Sequence, residues 1–432
     1  MLNVSRKVGA RTAVALGASV ALGVSLFAPI GHASAATAAT KMACGLGSGK
    51  KATGAPIKIG AIITSIPGID FSDGTKTEAA FYKCVNDNGG INGRPVQLIV
   101  ENDELDPAKA GAAATKLIEQ DKVLAMAGGF SIIDCPVNQK YYASKGYNVI
   151  VAGVPAECFG SPNIAAVNMG PHYSAQGAAE AAVRAGAKGK IVHVTPKAPG
   201  SEYNGSSVKT IADNNKMGFE DVEVDAPIKD GAALARSLVD KAGKGGAVVI
   251  TATPPNALAI MLGAKDQGVI KDVIWASATP ANDLSVAKAA GPDWNGKILI
   301  NAELALLDST GPDMTLYRAI MAKYDTKTPI GSFGQMGFLI AKMVTDTMIA
   351  SKATTPVAAN AAIKAIKNYK NDIVCKPWYY GGLAGGNVPN NWDRTVVPQD
   401  GGFKLKEDCF AITATDPVLT AVRSFEKANG IK

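Results

Sequence analysis

Ile57-Lys58-Ile59-Gly60-Ala61-Ile62-Ile63 is an apolar run of strand length, and the residues from Gly74 to Asn88 behind it repeat at helical spacing. Ala79, Ala80, Tyr82 and Val85 fall on the inward face, and Asn88-Gly89-Gly90 closes the helix. The same pairing then recurs. Val96–Val100 reads as a strand, and Asp106-Pro107 opens a helix through Glu119, with Asp at the N-cap and Pro in the first turn. Val123–Ala127 is a third strand followed by Gly128-Gly129, and a helix from near Pro136 leads to Val149–Val151. Short apolar strands separated by amphipathic helices predict a parallel sheet covered on both faces.

The rhythm restarts after residue 170. Helices are expected over Tyr173–Ala185, Tyr203–Met217, Gly231–Ala242 and Pro255–Gln267. Strands are expected over Lys190–Thr195, Asp221–Val224, Ala247–Thr251 and Val273–Ala276. Two consecutive sets predict an α/β protein of two doubly wound parallel-sheet lobes joined by a multi-strand hinge. From about Gly331 come a long apolar helix (Met336–Ile349) and a second helix (Pro356–Lys367). An irregular stretch rich in Gly, Asn and Trp follows, then a last helix from Pro417. Lobe 1 is assigned 56–171 and 304–350. Lobe 2, with a C-terminal extension, is assigned 172–303 and 351–432. The expected crossings lie near Pro171, at Asn301–Leu304 and around Gly331.

The N-terminus reads as an export signal. Arg6, Lys7 and Arg11 precede an apolar stretch from Thr12 to Ile30, no acidic residue occurs before Asp70, and Ala33-Ser34-Ala35 offers the small residues signal peptidase needs. Residues 1–35 are therefore expected to be removed, and 36–55 to form a flexible leader. Lys41-Met42-Ala43 puts a charge where a lipid-attachment site wants Leu or Val, so no lipid anchor is expected on Cys44. Gly45-Leu46-Gly47-Ser48-Gly49-Lys50-Lys51 resembles a phosphate-binding loop only superficially, lacking the spacing, the Ser/Thr after the lysine and a preceding strand.

Removing the signal takes three basic residues from a formal net charge of +7. The remaining excess is mild and spread out, which gives nucleic-acid binding no support. Roughly 400 residues remain, enough for two domains. Six cysteines, all beyond the signal, predict disulfides in an oxidising compartment. Sequence proximity suggests Cys44–Cys84, Cys135–Cys158 and Cys375–Cys409, although fifteen pairings are possible in principle. No CxxC spacing and few histidines argue against a metal, and no cofactor is expected.

Ligands of open parallel sheets sit beyond the carboxyl ends of the strands. The loops there are short and rich in small and hydroxyl residues. Candidate ligand contacts are Ser65 and Phe71 after the first strand, Phe130, Ser131 and Ile132 after the third, and Val154 and Ala156 after the fourth. The second set adds Tyr203, Thr253, Asn256 and Thr279. Hydrolytic chemistry has little support. No G-x-S-x-G elbow exists, and Gly331-Ser332-Phe333-Gly334 has the wrong spacing. His193, inside a strand, reads as a core residue, and His172 as part of a turn at the lobe junction. The chain is not expected to be an enzyme.

Asn88-Gly89-Gly90-Ile91-Asn92-Gly93-Arg94-Pro95-Val96-Gln97-Leu98, with Asp103 and Asp106-Pro107 beyond, resembles the start of the branched-chain amino-acid-binding proteins of ABC transporters, the type I periplasmic binding fold. Ser174-Ala175-Gln176-Gly177, Tyr203-Asn204-Gly205 and Pro255–Gly268 extend the likeness over most of 57–350. The resemblance implies ligand-carboxylate contacts near Ser131, backbone contacts near Val154 and Ala156, and a tyrosine at Tyr203 that closes over the ligand. It also implies a small disulfide like Cys135–Cys158. The chain departs from it in two places. Ser277-Ala278-Thr279 stands where amino-acid binders carry an acid for the ligand ammonium, and Ile132-Ile133-Asp134 stands where hydroxyls would meet the carboxylate. An unpaired ammonium would lose a charge-assisted bond worth roughly 1.5–3 kcal/mol.

The expected function is that of an extracytoplasmic solute-binding protein. It would be a secreted monomer that captures a small molecule (amino-acid-like, amide, organic acid or apolar fragment) and delivers it to an ABC transporter permease. A ligand-sensing domain for a signalling partner is the alternative, and a secreted hydrolase ranks third.

Overall fold

A computed structural model describes residues 42–381 and 387–431. The expected signal and its cut after Ala35 lie outside the described residues, as does the first part of the leader. What is described of the leader is held down. Cys44 is bonded to Cys84, and the Ser48 and Ala52 amides donate to the Asn88 and Asn86 carbonyls.

Lobe 1 is built on β1 (Ile57–Ile63), whose inward isoleucines are buried. A two-stranded ribbon, β2 (Ser65–Ile66) and β3 (Ile69–Asp70), follows it and leads into α1 (Ser72–Asp87). β4 (Val96–Asn102) pairs with β1 in parallel, from Ile57↔Val96 to Ile63↔Asn102. α2 (Pro107–Thr115) is capped by the Asp106 carboxylate, which accepts from the Ala108 and Lys109 amides, and a π-helical turn at Lys116–Gln120 ends it. β5 (Ala125–Gly129), α3 (Asp134–Ser144), β6 (Val149–Val151), α4 (Glu157–Gly160) and β7 (Ile164–Ala166) complete a parallel sheet of order β4-β1-β5-β6-β7.

The chain crosses between Val167 and Gly170 into α5 (Gly170–Arg184), which packs under the second sheet. Lobe 2 continues with β8 (Lys190–Pro196), α6 (Ser201–Asn214), β9 (Gly218–Val224) and α7 (Gly231–Ala242). β10 (Ala247–Ile250), α8 (Pro254–Asp266), β11 (Ile274–Ser277), α9 (Leu284–Ala290) and β12 (Ile298–Asn301) follow. The five strands are parallel, in the order β12-β11-β10-β8-β9.

The tail differs from the sequence reading. The chain returns to lobe 1 after Asn301. There α10 (Pro312–Tyr324) and α11 (Ser332–Ser351) pack on α1, and α12 (Pro356–Lys364) packs on α11 and β5. Ile363, Ile373, Trp378 and Tyr380 belong to the lobe 1 core, so the stretch from 351 to the next crossing is not part of lobe 2. Gly331 is no crossing either. It joins α10 to α11 within lobe 1 while bridging to Asp283 of lobe 2. The third crossing comes just before β13 (Trp392–Gln399).

With β14 (Gly402–Ala411), β13 adds an antiparallel pair to the lobe 2 sheet, where an irregular stretch was expected. The outer strand carries Lys404, Lys406 and Asp408, charges that discourage edge-to-edge association. The last helix, α13 (Pro417–Ala428), recrosses. Leu419 and Val422 pack with Tyr142 and Phe159 of lobe 1. All three disulfides join the cysteines nearest in sequence: Cys44–Cys84, Cys135–Cys158 and Cys375–Cys409.

Candidate functional site

The carboxyl ends of both sheets face one cleft, as the parallel topology requires. The lobes touch across it. The Gly68 carbonyl at the ribbon tip accepts from the Asn256 side-chain amide at 2.9 Å. Beneath this contact lies a cavity of about 120 Å³.

From lobe 1, Ile69, Phe71, Ile132 and Val154 form the wall. Phe71 meets Phe333 of α11 edge to face, with centroids 5.4 Å apart. The loop after β5 explains why Ile132 reaches the cavity. The Ser131 hydroxyl accepts from the Ile133 and Asp134 amides at 3.0 and 2.8 Å and donates to Asp103, which also accepts from Thr64 at 2.9 Å. Ser131 is consumed in building the loop and leaves the next side chain to face the ligand space. After β6, Asn168 clamps the Gly153 backbone at both its N–H (2.7 Å) and its carbonyl (2.8 Å). Cys135–Cys158 ties the start of α3 to α4, so both lobe 1 loops share one staple.

From lobe 2 come Thr195, Pro196, Ala198 to Ser201 and Asn204, then Thr251 to Thr253, then Thr279 and Pro280. The Thr279 amide donates to Ser174 at 2.7 Å and its hydroxyl to Asn301, which fixes the loop after β11 to α5 and β12. At the floor, where the chain leaves β12, sits Glu303. It is 1% exposed and its Oε2 accepts from the Met169 amide. Burial pushes its carboxyl up to about 8. Among the described residues no other ionisable side chain lines the cavity.

Of the residues singled out from sequence, Phe71, Ile132, Val154, Thr253 and Thr279 come together on the cavity. The others do not. Ser65 is in the ribbon, where its amide donates to Asn102. Phe130 is core, lying under Gly74 so closely that a Cβ there would be 2.2 Å from its ring. Ala156 begins the turn into α4, behind Val154. Asn256 holds the interlobe contact. Tyr203 stacks on His172, with centroids 3.8 Å apart, beside Asp416 and away from the cavity. Ser174, Asn204, Glu303, Phe333 and Met336 were missed. A signal for Glu303 existed: it is the one charge inside the apolar run from Ile298 to Leu307.

His193 is fully buried, with Asp221 at 2.8 Å and Thr251 at 2.9 Å on its two ring nitrogens. Among the described residues no group of three or more His, Cys, Asp or Glu is placed to hold a metal ion, and no helix is long and apolar enough to cross a membrane.

Comparison with known proteins gives one family. The sequence profile described as periplasmic binding protein matches residues 56–391. A fatty acid ABC transporter substrate-binding protein from Thermomonospora curvata superposes with a TM-score of 0.71 at 18% identity, covering 87% of this chain and 96% of that one. A branched-chain amino acid ABC transporter protein from Thermus thermophilus with bound valine gives 0.73 at 16% identity, covering 86% and 100%. A solute-binding protein from R. palustris in complex with benzoate gives 0.68 at 18%, covering 84% and 99%. An amino acid binding protein of Pseudomonas aeruginosa is 33% identical over 69 residues, which span 16% of this chain and only 18% of that relative.

Proposed function

We propose that this chain, which belongs to the periplasmic binding protein family, captures a small and largely apolar solute between its lobes outside the cytoplasm and presents it to an ABC-type importer. One observation carries the reading: an apolar cavity lined from both lobes, in which a single ionisable group is buried. A ligand touching both walls favours the closed arrangement over the open one by the difference in its contacts, and a permease can then read closure. The wall residues proposed to touch the ligand are Phe71, Ile132, Val154, Thr253 and Thr279, joined by Phe333 and Met336. Three disulfides and the N-terminal signal pattern support an oxidising, extracytoplasmic setting.

One solved neighbour holds valine, another benzoate, and a third is named for fatty acids, which supports a small-molecule ligand without choosing among them. Ser277-Ala278-Thr279 offers no counter-charge to an amino acid's ammonium, so a standard zwitterion is disfavoured. A thermal-shift screen of the purified protein against a broad metabolite library tests the reading, because a ligand that binds only the folded state raises the melting temperature. At least one compound should raise it, and Val154→Trp, which fills the cavity from a half-exposed position, should abolish the shift. A library that leaves the melting temperature unchanged counts against solute binding.

A further inference from the structure

We propose that the solute is a monoanionic carboxylate on an apolar body, and that the carboxyl group of Glu303 takes its polar end by donating a hydrogen bond. The inference rests on the solute-binding reading and narrows it.

The argument starts from what the cavity can donate. Three helices begin at it, α5 at Gly170, α6 at Ser201 and α11 at Ser332, and no side chain caps any of them. The Ser201 and Ser332 amides are taken by the Ala198 and Asn282 carbonyls, and Pro171 has no N–H, but the three helix dipoles still favour negative charge. Among the described residues no Lys, Arg or His lines the space. A ligand ammonium would therefore face three positive helix ends, whereas a ligand carboxylate would be favoured by them.

Glu303 contradicts this only while it is ionised. Two bare carboxylates in one apolar cavity repel, and such pairs hold a shared proton instead. The surroundings already favour the protonated form. Burial raises Glu303 to about 8, and its Oε2 is taken by the Met169 amide. The titratable group facing it is Asp393 on β13, itself buried and raised well above the ordinary range, first by burial and then by Glu303. His172 on α5 turns away onto Tyr203 and Asp416. Thr279 and Asn390, the other side chains near it, do not titrate. Near neutral pH the carboxyl thus presents an O–H to the ligand space.

The apolar body sits on Ile69, Phe71, Ile132 and Val154. A void of roughly 150 Å³ holds benzene, and the cavity of about 120 Å³ is somewhat smaller, so it takes a short chain, or a single ring only with a slight parting of the lobes. Proton linkage follows. Above about pH 8 the free protein has lost the proton, and binding must take one up, so affinity should fall about tenfold per pH unit.

The test uses probes that differ only in their polar group: benzoate, benzamide and benzylamine, with hexanoate and hexylamine as an aliphatic pair, titrated calorimetrically into the purified protein. Benzoate or hexanoate should bind with steady affinity from pH 6 to 7.5 and lose about tenfold between pH 8.5 and 9.5, and the heat at pH 9 should vary with the buffer's ionisation enthalpy. Glu303→Gln should bind the acid severalfold more weakly at pH 7 and lose the alkaline fall. If that variant does not fold, the slope and the buffer heats of the unaltered protein decide alone. Binding of the amines in preference to the acids overturns the inference, as does acid binding without a pH slope or no acid binding at millimolar concentration. In each of these cases solute binding stands if the metabolite screen returns a ligand, and it falls only with a screen that returns none.

Discussion

The Gly68 carbonyl of lobe 1 and the Asn256 side-chain amide of lobe 2 meet at 2.9 Å across the mouth of the cleft. Asn256 is also fixed from its own side, donating to Thr253 at 2.8 Å and accepting from the Ile228 amide at 2.9 Å. Gly68 has φ +86, and a Cβ on it would lie 2.5 Å from the Pro227 nitrogen of the opposite lobe. The ribbon tip is thus fitted to the closed arrangement.

Gly68→Ala should therefore penalise closure specifically. A left-handed φ costs a non-glycine residue roughly 1 kcal/mol in either arrangement, but the clash with Pro227 exists only when the lobes meet. Ligand affinity should fall at least tenfold, and small-angle scattering should show a larger radius of gyration than the unaltered protein at the same ligand concentration. Unchanged affinity would remove this contact from the closing mechanism.

The Cys135–Cys158 bridge closes a loop with a sequence separation of 23, and its ends flank the segments that carry Ile132 and Val154. Chain-entropy arguments assign such a loop roughly 3 kcal/mol of stabilisation. Replacing both cysteines by serine should lower the urea midpoint accordingly and weaken ligand binding severalfold, because the two wall loops lose their common anchor. A change in stability with no change in affinity would confine the bridge to a folding role.

Much of this fold could be read in the chain because the strands that matter are buried on both faces. β1 and β6 span the residues their apolar runs indicate, and α7 spans those its helical spacing indicates. The outer hairpin was not read, since β13 carries Asp393, Arg394 and Pro398 and β14 alternates Phe403 and Leu405 with Lys404 and Lys406. That period-two pattern was available, and it was masked by the Gly- and Asn-rich residues before it. The assignment of 351–391 failed for another reason. Nothing local tells α12 which sheet it will cover, and Asn360, which accepts from the Asn148 amide at 2.7 Å, finds its partner 212 residues away. Loop position put Phe71, Ile132 and Val154 where they line the cavity, but did not tell which hydroxyls would turn inward. Ser131 was misread because its role in organising the loop into α3 depends on Asp103, a partner from another strand end.

A buried ion pair holds the C-terminal helix. Lys376, 5% exposed, lies against Glu426, 4% exposed, and Asn391 at 2.9 Å, while Tyr379 donates to the same Glu426 oxygen at 2.7 Å. Burial brings Lys376 down to about 8 even with its partner in place. Glu426→Ala would strand that ammonium, at a cost of roughly 3–5 kcal/mol. Hydrogen exchange should show α13 losing protection while β1 and β8 keep theirs. Lys376→Met combined with Glu426→Leu should cost less than Glu426→Ala alone, since no buried charge is left unpaired. The reverse order would show that the pair itself, and not its satisfaction, stabilises the helix.

Glu303 should leave its own mark on stability. Its carboxyl is raised from 4.5 to about 8 in the folded protein, whereas in the unfolded chain it ionises near the ordinary value. Between these two pH values the folded state holds a proton that the unfolded state has released, so stability falls as pH rises, by about 1.4 kcal/mol per unit. The decline begins near pH 4.5, ends near pH 8, and amounts to roughly 3–6 kcal/mol for this one group. Glu303→Gln carries no such proton. In urea unfolding at pH 5, 6, 7 and 8 the variant should gain on the unaltered protein at each step and then run parallel to it above pH 8.5. The other carboxylates are common to both proteins except that Asp393 loses the raising effect of Glu303, which acts in the same direction, so a difference that stays constant across the range would show that Glu303 ionises normally in its buried site.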